Sequence, residues 1–376
     1  MGIRIFDRYL GWQVLSATLL GVLLLSGVMV LGNVYKQLDQ LLGGADLPMG
    51  VIAEFVALIV PFSLIFTIPW AFLTGILLVF GRLSADNELV SLRMTGWSMR
   101  RICASVFAMA VALSAICYWV NVSLAPVAKD RMKRMFYQVA LDNPAGLFQE
   151  GRVLDKIPGF RIYTGGRDGN ELRNVEIVEL NGTLAQRVIR AERAILEIQP
   201  KVMDFEMRLF DANIENITYT PDKVVDKVEF LTASETAVVF PMSRLAQNTV
   251  RINASMKSTG TLWDEVRSSV DSVTGKEMDA KARSLSLTEL NKRFSFSLAC
   301  FTFALVGIPL GVTAHRRETS SGFALSLITA TVYLVFIILA DTLNDKPEAY
   351  PHLIMWVPNL LFLGLGTWLF RRLSKM

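Results

Sequence analysis

Cysteine and histidine are scarce in this chain, and charge is thin. Its 376 residues include three cysteines and two histidines. Cys103, Cys117 and Cys300 all fall inside apolar runs, so none can staple an exported domain, and their spacing suits no zinc site. His315 and His352 are far apart in the chain and flank different apolar runs, so no metal site is expected. Charged residues make up 19%, less than a soluble domain normally carries, and the net charge of +4 leaves no nucleic-acid footprint. Reaction motifs are missing as well. The sequence holds no H-E-x-x-H, no G-x-S-x-G and no pair of carboxylates within an apolar run, which argues against a membrane-embedded hydrolase. It also lacks G-x-x-x-x-G-K-[ST]; "VTGKEM" around Lys276 has neither the first glycine nor the hydroxyl residue. Any nucleotide must bind elsewhere, and no cofactor is expected in this chain.

What the chain has instead is apolar length. Hydrophobic residues reach 52% and the mean hydropathy is +0.40. A membrane-spanning helix needs about 20 mostly apolar residues. Six segments qualify, roughly 11–35, 52–80, 101–125, 292–314, 321–341 and 352–370. The first opens like a signal peptide but stays apolar too long and meets no small-residue cleavage site, so an uncleaved helix is expected. Pro61 and Pro69 are expected to kink the second, and Gly307, Pro309 and Gly311 to loosen the fourth.

Lys and Arg set the orientation. With the N-terminus inside, the inner loops carry Arg4, Arg8, Arg82, Arg93, Arg100, Arg101, Arg316, Arg317, Arg371, Arg372 and Lys375, against Lys346 alone in the short outer loops. Both termini are therefore expected in the cytoplasm. Residues 126–291, between the third and fourth spans, then lie outside. Alternating stretches such as "FRIYTGG", "NVEIVEL" and "DFEMRLF", separated by "GGRDGN" and "LNGT", predict short strands and an all-β sandwich or jelly roll. A helical tail follows and leads into the fourth span. Asn181, Asn216 and Asn253 open N-x-[ST] triplets there.

The polar island "GRLSADNELVSLRMTGWSMRR", residues 81–101, separates two apolar runs on the inner side. Ser84 or Asp86 is expected to cap a helix with Leu89, Leu92 and Met94 on its apolar side, Glu88 and Arg93 facing the cytosol, and Gly96 ending it. Such a helix is either a solvated turn or a knob that docks in a partner's groove. Lys36, near the outer end of the first span, either snorkels to the headgroups or grips an anionic lipid head. Glu54 and Asp341 read as solvated helix-end carboxylates or as gating partners. Ion-coupled secondary transport of an amphipathic lipid would need ionisable groups at mid-membrane, and spans two to six show almost none.

An ordered set of stretches carries a resemblance: "FDRYLGWQ", "YKQLDQLL", "GRLSADNELVSLRMTGWS", "LDNPAGLFQEG", "ELNKRFSFSLACFTFALVGIPLG" and "WVPNLLFLGLGTWLFRR". Over its whole length the chain resembles the LptF/LptG family, permease subunits that extract lipopolysaccharide from the bacterial inner membrane. "YKQLDQLL" is closer to the G-type member, the second-span stretch and "NPAG" to the F-type. The resemblance implies a membrane α-helical fold of six spans, three plus three, with a periplasmic jelly-roll-like domain inserted. It implies a domain order of 1–125 with a coupling helix at about 82–97, then 126–291, then 292–376. It makes Asp86, Glu88, Leu89, Leu92 and Arg93 the contact to an LptB-type ATPase dimer, which would hold ATP and Mg, and it makes Lys36 a lipopolysaccharide headgroup contact. Further implied partners are a paralogous LptF/LptG permease and LptC/LptA-type periplasmic jelly-roll proteins.

Overall fold

Four of the six apolar runs become helices long enough to cross a membrane, and the other two become bent pairs of helices. The computed structural model describes residues 5–41, 49–142, 148, 150–154, 159–181, 184–199, 204–220, 225–240, 253–272, 275–313 and 319–375. Side chains of 36–41, 136–142, 181, 197–199, 204–205, 319–322 and 375 fall outside that description. The chain divides into two units. One comprises Met1–Asn33, Phe55–Arg131 and Asn253–Met376; the other comprises Val34–Glu54 and Met132–Ile252.

α1 (Ile5–Leu41) and α2 (Met49–Ala85), each mostly in the helical unit, are followed by the short α3 (Glu88–Met94) and α4 (Met99–Ile102). The third run is α5 (Ala104–Trp119), a π-helical turn at Val120–Leu124, and α6 (Ala125–Asp142). Helix thus continues well past residue 125, where the sequence pattern suggested a boundary. After the β-unit come α7 (Thr259–Ser268), α8 (Ala280–Ser297), α9 (Ala299–Thr313), α10 (Thr319–Thr342), α11 (Pro351–Ile354) and α12 (Val357–Lys375). The return segment from Asn253 belongs to the helical unit rather than to the β-unit.

α2 runs unbroken through Pro61 and Pro69, and α9 runs unbroken through Pro309. Two breaks carry bends, 42° between α8 and α9 and 43° between the 347–354 segment and α12. Gly307 and Gly311 tighten the packing instead of loosening it. A Cβ on Gly307 would meet Leu73 Cδ1 at 3.0 Å, and one on Gly311 would meet Phe80 Cβ at 3.0 Å. One core joins Leu10, Phe72, Ile76, Phe80, Ile308 and Phe370. Another joins Leu77, Phe296, Phe303, Tyr333 and Phe362.

Return-segment packing rests on charge. Lys257 and Glu265, 7% and 1% exposed, pair at 2.5 Å. Ser272 donates to the same carboxylate oxygen from its backbone N–H at 3.0 Å and from its hydroxyl at 2.5 Å. Arg293 of α8 donates to Thr259 Oγ1 at 2.8 Å and to the Lys257 carbonyl at 2.9 Å, tying the loop before α7 to α8. Burial pushes the Glu265 carboxyl up, but Lys257 and Ser272 outweigh it and hold it below its ordinary value.

Six strands, β1 (Arg152–Leu154), β2 (Phe160–Asp168), β3 (Glu171–Asn181), β4 (Leu184–Gln199), β5 (Asp204–Tyr219) and β6 (Val225–Phe240), form one antiparallel sheet in chain order. This is a meander. Among the described residues the strands do not show the Greek-key connections of a strict jelly roll. The "RDGN" turn works as its composition suggested: Gly169, at φ 61°, closes the β2–β3 hairpin between Asp168 and Glu171. The meander is nevertheless rolled. Phe160 of β2 and Phe240 of β6 have ring centroids 5.0 Å apart, whereas four strand spacings in a flat sheet would separate them by roughly 19 Å.

A crease crosses the sheet. Gly165, Asn174, Glu192, Asp211 and Ser234 each interrupt the pairing at the same level of successive strands. Asn174 and Asp211 take positive φ there, 51° and 52°. One extra residue per strand flips which parity faces inward, so β4 buries Ile189 and Ala191 on one side of the crease and Ala194 and Leu196 on the other. The alternation visible in sequence stops and restarts for this reason.

Candidate functional site

At the polar end of the helical unit, α3 sits on the ends of α2 and α9. Neither Ser84 nor Asp86 caps it. Ser84 lies in the last turn of α2 and donates its hydroxyl to the Val312 carbonyl of α9 at 3.0 Å. The N-cap is Asn87, at φ 57°, without a side-chain cap bond. That left-handed residue reverses the chain direction between α2 and α3, a conformation asparagine tolerates better than most residues. Gly96, at φ 86°, follows the helix end as its composition suggested.

The five residues expected at the contact occupy this short segment but divide into two roles. Leu89 is 3% exposed and belongs to the same core as Leu83, Met99, Ile102 and Phe370. Leu92 is half-buried against that core. These two seat the helix. The outward apolar surface is Val90 and Met94 instead, with Met94 85% exposed. Asp86 is exposed, and Glu88 and Arg93 are half-exposed.

A clamp unremarked in the sequence holds the other end of the island. Arg101, in α4, makes a two-pronged ion pair with Asp7 of α1, at 2.9 and 2.6 Å. Its guanidinium lies 5.7 Å from the Trp97 ring centroid, and Phe6 meets the same ring edge-on at 5.8 Å. Hydrogen bonding to Asp7 raises the Arg101 pKa further. The signal was an isolated acid in "FDRYLGWQ", at the mouth of an otherwise apolar span. The island is thus a rigid projection of the bundle, fixed to α1, α2 and α9.

Lys36 belongs to α1, but its side chain lies outside the described residues. Asp341, at the far end of α10, pairs with Lys292 of α8 at 2.6 Å. His315 lies outside the described residues, and among those described no group of three or more metal-ligating side chains comes together.

A family model described as "Lipopolysaccharide export system permease LptF/LptG" matches residues 8–372. The chain belongs to the LptF/LptG family. No individually curated protein matches it. An LptF/LptG chain is a component of a lipopolysaccharide export permease in the inner membrane, and the apolar helices agree with that location.

Proposed function

We propose that this chain is the non-catalytic membrane subunit of an ATP-driven lipopolysaccharide exporter, moved by a separate ATPase through α3. The carrying observation is the seating of α3. Leu89 in the core, the Ser84–Val312 bond and the Asp7–Arg101 clamp let a push on Val90, Met94, Glu88 and Arg93 reach the bundle without being lost in a loose loop. An apolar ridge flanked by single charges suits a groove on a partner. The ATPase is of the LptB type, acts as a dimer and carries the ATP and Mg.

In this reading six spans are arranged three plus three, counting each bent pair as one. Both termini and α3 face the cytoplasm, and the β-unit faces the periplasm. A paralogous permease completes the lipid cavity, and Lys36 meets the lipid's anionic head. The rolled sheet supports the onward step. It presents exposed apolar side chains in the turn-side half of the β5–β6 hairpin, where Phe230 is 75% exposed. Among the described residues β6 is an edge strand, which an LptC/LptA-type sheet can extend.

Purification from native membranes in mild detergent tests this reading. The expected result is recovery of an ATPase and a second, related permease with the chain, with bound lipopolysaccharide. Recovery of neither protein would overturn it.

A further inference from the structure

The two helix breaks and the π-turn meet. Ser295, near the end of α8, donates its hydroxyl to the Met355 carbonyl, in the break before α12, at 2.5 Å. Asn359, fully buried in the first turn of α12, returns two bonds, to the Ser295 carbonyl at 2.8 Å and its hydroxyl at 2.7 Å. Tyr333 of α10 and Thr302 of α9 each donate to Asn359 Oδ1 at 3.3 Å. Asn121, inside the π-turn, donates to Ser297 Oγ at 3.3 Å. Three departures from regular helix are therefore linked in one buried polar layer, surrounded by the Phe296, Phe303 and Phe362 rings.

Packing differs on its two sides. Toward α3 the helices touch almost backbone to backbone. A Cβ on Gly366 of α12 would meet Leu305 of α9 at 2.9 Å, and Gly307 and Gly311 press equally closely on α2. Toward the return segment the attachments are polar side chains: Lys292 to Asp341 at 2.6 Å, Lys281 to Asp345 at 3.0 Å, and Trp356 Nε1 to Asn291 Oδ1 at 3.0 Å. Where a helix is already broken, its backbone ladder need not be cut for the segments to change angle. The side-chain bonds that replace the ladder are individually weak among membrane helices.

We propose that this layer is a hinge. The inner block of α2, α9 and α12 moves with α3 as one body, and α8 with the return segment changes angle against it about Ser295, Asn359 and Met355. Asn359 is a positioning residue: from the first turn beyond one break it bonds both the carbonyl and the hydroxyl of Ser295 at the other, and so sets the resting angle. The inference gives the proposed transport cycle a joint, but its test needs neither ATPase nor lipopolysaccharide, so failure of either reading is seen separately.

The test is pulsed electron–electron resonance on the full chain in nanodiscs. The three native cysteines are buried and are replaced by alanine. One spin-label pair, Arg283→Cys with Arg372→Cys, straddles the layer; the other, Arg82→Cys with Arg372→Cys, lies on its inner side. All three positions are exposed. With Asn359→Leu, and with the milder Ser295→Ala, the straddling distance distribution is expected to broaden or gain a second population while the inner one keeps its width. Unchanged distributions for both pairs, or equal broadening of both, would overturn the hinge.

Discussion

Glu88 is half-exposed on a helix whose seat is made by other residues, so changing it should cost little stability, within about 0.5 kcal/mol. Glu88→Lys is expected to reduce ATPase capture at least roughly tenfold, about 1.4 kcal/mol, and Glu88→Ala to reduce it less, because the reversed charge is repelled as well as unpaired. Pull-down with matched membrane expression measures it, and normal recovery with Glu88→Lys removes the residue from the interface. Lys36 offers a second comparison. A lysine that only snorkels loses little on Lys36→Gln, whereas a phosphate contact loses about 1.5–3 kcal/mol, a roughly ten- to hundredfold drop in lipid occupancy. Lys36→Arg should keep most of the binding and Lys36→Glu the least. Photocrosslinking to glycolipid from a neighbouring α1 position reads the series. Equal yields for wild type, Gln and Glu would leave snorkelling as the sole role.

Among elements, the crease and the return segment invite sharper tests. A Cβ at Gly165 would lie 2.9 Å from Asn174 Cβ and 3.4 Å from the Arg173 carbonyl oxygen, and the pleat offers it no room. Gly165→Ala is expected to destabilise the sheet by about 1–3 kcal/mol, while Gly11→Ala, with nothing within 4 Å, should not affect the sheet. Limited proteolysis of the β-unit compares the two. In the return segment, Lys257→Met strands the buried Glu265 at a cost of about 3–5 kcal/mol, and adding Glu265→Met should recover most of it. Acid acts through the same pair. The folded-state pKa of Glu265 lies below its ordinary 4.5, so its contribution is complete above that pH and is lost as pH falls through the depressed value. Melting of the detergent-solubilised chain across that window should therefore show less pH dependence in the double variant.

For the molecule as a whole, apolar length made the helices legible, because a run such as 55–80 admits no other fate in lipid. The breaks were hidden. "SFSLACFTF" reads as unbroken helix, and what stabilises the bend at Leu298 is Asn359, some sixty positions on, so no local pattern carries it. In the candidate site the stretch was legible but its facing was not. Leu89 and Met94 look alike in a sequence, and only the cover supplied by α4 and α12 separates them. The β-unit holds no cysteine, so adding reductant should leave its protease resistance unchanged. A reductant-dependent shift, or a mixed disulfide with a partner domain, would contradict that.

Strand order also has a temporal meaning. Among the described strands, each one after β1 pairs with the one synthesised just before it. If the β-unit is exported as proposed, a segment emerging N-terminal end first can therefore build its sheet by accretion, each arriving strand finding its template already in place. No strand waits for a distant one, so little loop entropy stands between emergence and pairing. Before the last strand arrives, however, β5 is the growing edge. A pause in synthesis within 220–225 would leave that edge bare, and this is where such a nascent chain would most need a chaperone.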